Sequence, residues 1–311
     1  MWISISLYNE VKHQPDLDKA WQQMKNAFTG TESWKLWLVV LLMPVNWGIE
    51  AYKWYLLVNN YQPLSFKKAY ESVLSGLSLS MNTPNRIGEY GGRIVYLEPK
   101  YRILGVALTL VSSVGQLLVT LVLGWAALLI LKGDMQSLQL DNTNLSGLLI
   151  QVFQYLVLFF TLITAVFYFR MHWLVKLLRW IPLLKNKLAF VNDLENLPGR
   201  AYVQILIFSF LRFVVFALQY VLLWQALHVD IAWWQGFWGI SLIFLIMAIV
   251  PSFAIAEIGI RGKVAVSIVG LFTANSIAVL AGTIGIWILN LVFPALIGSL
   301  LILTIRIFRE R

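Results

Sequence analysis

The chain has 311 residues, of which 59% are hydrophobic and only 13% charged, with a mean hydropathy of +0.74. Soluble domains carry about 25% charge, so this composition excludes an ordinary soluble enzyme, a disordered chain and a coiled coil. It points to an all-α integral membrane protein with room for roughly six to nine spans of about 20 residues each. The formal charge of +9 fits cytoplasmic loops facing anionic headgroups better than it fits nucleic acid, because no basic run is interleaved with a soluble fold. The absence of cysteine excludes disulfides, thiolate chemistry and cysteine metal sites.

Taken in chain order, residues 1–33 show no apolar core of a signal peptide. Leu17, Trp21, Met24 and Phe28 recur at helical spacing among polar residues, which predicts an interfacial amphipathic segment or a helix packed on the protein's own polar end. Residues 34–311 read as a single polytopic membrane domain. Six apolar stretches are each long enough to cross the hydrocarbon: 34–58, 103–131, 145–169, 202–227, 231–250 and 276–305. Two further stretches, 69–97 and 252–272, are apolar but carry Gly and charged residues in their middles. The expectation is about eight transmembrane helices, two of them broken or re-entrant.

Lys and Arg set the orientation. The region 170–200 and the C-terminal Arg306, Arg309 and Arg311 are basic and are expected in the cytoplasm. The loop 132–144 and the link 228–230 are poor in Lys and Arg and are expected outside. Eight crossings put the N-terminus in the cytoplasm, whereas a re-entrant first broken segment puts it outside. The expected location is the cell membrane.

The broken segments resemble each other. The first runs through Pro84, Asn85, Arg86, Gly88, Glu89, Gly91, Gly92 and Arg93. The second runs through Pro251, Glu257, Gly259, Arg261 and Gly262. Both contain Glu-x-Gly-x-Arg preceded by a Pro, at corresponding places in the span pattern. The halves 34–131 and 231–305 therefore read as an inverted repeat, and paired interrupted helices of this kind point to a transporter's binding site. Pro84, Gly88, Gly91, Gly92, Pro251, Gly259 and Gly262 are the candidate backbone breaks. Freed backbone at membrane depth must be buried in protein or line a wet cavity. Charged groups there are costly and face the bundle interior. A helix N-terminus favours an anion, and Arg offers a rigid fork for phosphate. Asn85, Arg86, Arg93 and Arg261 are thus candidates for a headgroup cradle. Glu89 and Glu257 would hold the arginines, take up protons or contact an amine. The competing reading is an internal Glu–Arg bridge that locks broken helices without a ligand.

At these residues the chain resembles the membrane domain of the lysylphosphatidylglycerol synthases, the flippase-like part. The resemblance rests on residues 82–93 and 251–262, with support from 47–57, and the order of spans extends it over 34–305. Two departures stand out. The family's glycine-rich run before the second Glu is here Phe253-Ala254-Ile255-Ala256. The charged pair many members carry after the first motif is here the uncharged Ser112-Ser113-Val114-Gly115-Gln116. The resemblance implies handling of a phospholipid or lipid-linked molecule, namely its translocation between leaflets. It does not imply synthesis, since no stretch reads as the soluble aminoacyl-transferring domain.

Arg212, in the middle of its span, either adds to the anion site or pairs with Glu50 or Glu71. Gln116, Gln219 and Asn290 are expected to bond between helices. Glu50 and Lys53, three apart, read as a local pair near the interface. Gly282, Gly285 and Pro294 suggest close packing and a kink. No metal-spaced cluster, nucleophile elbow or phosphate-binding loop is present, so neither catalytic residue, metal nor cofactor is assigned. The alternatives to a transporter are a membrane-embedded transferase with Glu89 or Glu257 as base, and a non-catalytic membrane partner. Topology leaves seven charges unexplained: Arg86, Glu89, Arg93, Arg212, Glu257, Arg261 and Lys263. The sequence assigns neither substrate identity nor oligomeric state.

Overall fold

A computed structural model describes residue 30, residues 32–81, residue 83, and residues 86–137, 145–170, 197–250 and 254–309. The regular elements among them are all helical. They are α1 (Ser33–Val58), α2 (Phe66–Met81), α3 (Gly88–Ile94), a 3-10 turn (Pro99–Tyr101), α4 (Arg102–Ile130), α5 (Lys132–Ser137), α6 (Leu145–Phe169), α7 (Gly199–Ala226), α8 (Trp233–Ile249), α9 (Ala254–Val269), α10 (Ser276–Trp287), a π turn (Ile288–Val292) and α11 (Phe293–Arg309). The expected interfacial segment at 1–33 lies largely outside the described residues, as does most of the basic region 170–200.

Four stretches among the described residues are long and apolar enough to cross a membrane: Pro99–Ile130, Gly147–Phe169, Gly199–Ala226 and Ser276–Thr304. The other two apolar stretches differ for identifiable reasons. α1 has 26 residues but carries Lys35, Glu50 and Lys53, which lower its hydropathy. α8 is a helix of only 17 residues. Along α6 large apolar side chains stand exposed, among them Tyr155, Phe159, Phe160 and Leu162. Such a surface needs hydrocarbon rather than water as its solvent.

The chain resolves into two compact units, the first comprising residues 1–45, 120–158 and 214–290 and the second comprising residues 46–119, 159–213 and 291–311. In the second unit α2 and α3 fold back on each other as an antiparallel hairpin. The Ser72 hydroxyl donates to the Arg93 carbonyl at 2.9 Å, and Ser75 and Tyr96 share a hydroxyl–hydroxyl bond of 3.1 Å. Small residues make this approach possible. A Cβ on Gly92 would stand 2.5 Å from the Cα of Gly76, and one on Gly88 would stand 2.2 Å from the Leu79 carbonyl oxygen. α11 crosses the same hairpin, with Gly298 so close that a Cβ would reach 2.0 Å from the Leu74 carbonyl oxygen. Close backbone approach at small residues is how membrane helices gain packing energy, since lipid removes most of the hydrophobic drive.

In the first unit α8 and α9 also run antiparallel, as the positions of Gly239 near Ile268 and of the Trp234 ring near Phe272 require. The Trp224 indole donates to the Val279 carbonyl at 3.1 Å, beneath Gly282. Gln219 donates across to the Val39 carbonyl at 2.9 Å, an interhelical bond of the kind expected for it. Asn290 donates to the Ile286 carbonyl, one turn earlier, at 3.4 Å. The helix switches to a π turn at Ile288–Val292, immediately before Pro294. A proline has no N–H for the carbonyl four residues back, so the local change of hydrogen-bond register follows from the sequence.

Candidate functional site

The first Glu-x-Gly-x-Arg motif lies on α3, where Glu89 and Arg93 are one helical turn apart and form an ion pair. The order Glu then Arg at that spacing is the favourable one for a helix. Arg93 is 1% exposed and its pairing does not end there. Its Nη2 also donates to Glu50 Oε1 at 2.8 Å, and its guanidinium lies 5.6 Å from the Trp54 ring centre. α1 and the α2/α3 hairpin are thus joined through charge in the interior of the second unit.

Glu50 is the centre of this cluster. Besides Arg93 it meets Lys53 at 2.8 Å and Arg212 at 3.2 Å. Lys53, itself 1% exposed, donates further to Ser209 Oγ at 3.2 Å and to Gln116 Oε1 at 3.5 Å. Arg212 donates from Nε to Asn46 Oδ1 at 3.0 Å and lies 4.9 Å from the centre of the Trp47 ring. Three cations (Lys53, Arg93, Arg212) therefore share two carboxylates (Glu50, Glu89). Desolvating that many charges costs several kcal/mol per ion unless each finds partners, which is why they occur together. Two donors of Arg93, Nε and Nη1, have no hydrogen-bond acceptor among the described residues. Glu89 is the member that opens outward, with its side chain 26% exposed.

The second motif lies on α9, in the first unit. Glu257 and Arg261 repeat the one-turn ion pair. Here the further acceptor is not a carboxylate: Arg261 Nη1 donates to the Tyr220 hydroxyl at 3.3 Å, and the guanidinium lies 5.6 Å from the Phe244 ring centre. Tyr220 and Glu257 are buried, and Arg261 is mostly so.

The remaining candidates fall as follows. Arg86 is exposed and has φ 58°, a left-handed conformation that costs a residue with a Cβ roughly 1–3 kcal/mol and persists only when its surroundings impose it. It precedes Gly88, whose N–H donates to Thr83 Oγ1 at 2.7 Å and so closes the hairpin end. Gly88, Gly91 and Gly92 sit within α3, and Gly259 and Gly262 within α9. The chain breaks between Met81 and Gly88 and between Ile249 and Ala254, so these glycines pack or fill helices rather than interrupt them. Pro84, Asn85 and Pro251 lie outside the described residues. Of the alternatives for Arg212, the pair with Glu50 is formed, while Glu71 meets Lys67 at 4.0 Å.

Sequence reasoning undervalued Glu50 and Lys53. They do form the expected local pair, and it is buried and joined to the central cluster. Tyr220 and Asn46 carried no signal, because a Tyr or Asn in a span is ordinary. The clue available for Glu50 was its place well inside α1, where a carboxylate needs more than one cation.

Residues 17–298 match the family described as the lysylphosphatidylglycerol synthase TM region. The chain belongs to that family. The match covers both Glu-x-Gly-x-Arg motifs and Glu50, Lys53 and Arg212, so the two charge clusters lie inside the lysylphosphatidylglycerol synthase TM region. No curated protein matches the chain.

Proposed function

We propose that this lysylphosphatidylglycerol synthase TM region protein moves a phospholipid or lipid-linked molecule between leaflets, with the polar headgroup handled by the Glu/Arg clusters. The observation that carries the reading is the second-unit cluster. It holds three cations against two carboxylates, with two Arg93 donors lacking acceptors among the described residues and Glu89 opening outward. A headgroup phosphate supplies the missing negative charge, and Arg presents the fork that suits it. The repeated ion pair on α9 supplies a second polar station. The substrate contacts are then Arg86, Glu89 and Arg93, with Arg212 behind them and Asn85 beside them in sequence, and Glu257 and Arg261 in the other unit.

We also read α2/α3 as a re-entrant hairpin. A seven-residue α3 rises only about 10 Å, far short of the ~30 Å of hydrocarbon, and α2 turns back on it. With the first broken segment re-entrant, the number of crossings is odd. The start of α1 then lies on the opposite side from the C-terminus, which the basic end places in the cytoplasm of a cell-membrane protein.

The test is reconstitution. Vesicles carrying the purified chain and a lipid labelled on one leaflet are treated with a membrane-impermeant quencher. The reading expects transfer of label by the wild-type chain and its loss in Glu89→Gln and Arg261→Ala, with both variants still eluting as folded protein. No transfer of any anionic, zwitterionic or aminoacylated lipid by folded wild-type protein refutes it.

A further inference from the structure

A separate feature of the second unit lies away from both Glu-x-Gly-x-Arg motifs. The end of α1 and the beginning of α7 enclose a cavity of about 250 Å³. Its polar wall is Asn60, just beyond α1, with Arg200 and Gln204 from α7; its apolar floor includes Leu57 and Ile205, and the fully buried Lys53 lies behind it. Among the described residues the lining contains no carboxylate, and its accessible cation is Arg200.

The charge balance around it decides its character. Lys53 is buried, and its partner Glu50 is also claimed by Arg93 and Arg212, so with Glu89 two carboxylates answer three cations there. Arg200 is exposed and forms no ion pair with a described residue. Asn60 directs its amide N–H groups back to the carbonyls of Leu56 and Leu57, at 2.9 Å and 3.5 Å. A concave surface with such walls raises the local concentration of anions. Arg200 can hold a phosphate through two parallel hydrogen bonds, with Gln204 adding a neutral donor. The volume lies just below the roughly 300 Å³ at which drug-sized pockets begin, so a headgroup fits and a whole lipid does not. The leucine and isoleucine floor suits the first carbons beyond the phosphate.

We propose that this cavity is a binding site for an anionic phosphate ester, held by Arg200 and Gln204 in front of the buried side chain of Lys53. The site does not depend on transport. Both an anionic phospholipid and a water-soluble glycerol phosphate present this chemistry.

Binding is measured on the purified full chain in neutral detergent, by mass spectrometry of retained ligand. The probes are short-chain phosphatidylglycerol, short-chain phosphatidylcholine and glycerol 3-phosphate. Phosphatidylglycerol is expected to bind at least about tenfold more tightly than phosphatidylcholine. Arg200→Gln should weaken it about tenfold, the loss of one charge-assisted contact. Gln204→Trp, which fills the cavity, should weaken it as much. Neither side chain is buried, so both variants are expected to fold, as checked by elution volume. If glycerol 3-phosphate displaces the lipid, the ligand is the soluble ester. If it does not, the ligand is the lipid, and either result supports the site. Equal retention of the two lipids, or wild-type binding by both variants, overturns it. Glu89→Gln should lose lipid transfer yet keep this binding, so failure of one proposal leaves the other standing.

Discussion

Arg93 and Arg261 occupy the same position of the same five-residue pattern, and each pairs with the Glu one turn earlier. Their surroundings differ in charge. Arg93 is clamped by a second carboxylate, Glu50, which in turn holds Lys53 and Arg212. Arg261 has the Tyr220 hydroxyl instead. One region is therefore a many-membered ionic network built from α1, α3 and α7, and the other is the Glu257–Arg261 ion pair with a neutral acceptor beside it. The lesson is that a local helix motif sets only the first partner. What the motif becomes depends on which residue a distant helix brings to the far side of the guanidinium.

The largest expected effect breaks the network at its centre. Glu50→Ala removes the carboxylate that Lys53, Arg93 and Arg212 share and should cost about 3–5 kcal/mol. Thermal unfolding of the detergent-solubilised chain should show a large drop or no folded protein at all. Glu257→Ala, which strands one cation rather than several, should be milder. Equal melting of the two would erase the distinction drawn between the regions.

Next comes the hairpin that carries the first motif. A side chain at Gly92 would collide with the backbone of Gly76, which has no flexible end to yield. Gly92→Val should cost at least about 1–3 kcal/mol and expose residues 83–94 to limited proteolysis. Unchanged melting and cleavage patterns would mean that the α2/α3 contact is not tight.

Tyr220→Phe sharpens the comparison from the other side. It removes only the hydroxyl that accepts from Arg261 and should cost about 1 kcal/mol. The expected signature is a small fall in melting temperature, well below that of Glu50→Ala. The smallest effect is Gly91→Ala. A Cβ there meets nothing within 4 Å, so removing a helical glycine should stabilise α3 by about 0.5–1 kcal/mol. A loss of stability at Gly91 would show that α3 packs against something on that face.

Membrane residence, the helical class and the family were all legible in the sequence. Apolar length and Gly/Pro interruption are one-dimensional properties, and the lipid environment forces backbone hydrogen bonds to close within the segment. The Glu–Arg pairing within each motif was legible for the same reason, because a spacing of four is a contact on any helix. Three-dimensional packing alone could show that Glu50 sits opposite Arg93, which of Arg212's alternatives is formed, that Tyr220 stands opposite Arg261, and that α2 and α3 fold back through Gly76 and Gly92. Those contacts join residues from 16 (Gly76 and Gly92) to 162 (Glu50 and Arg212) positions apart, and no periodicity encodes them. Whether a buried charge is balanced is a property of all the helices around it.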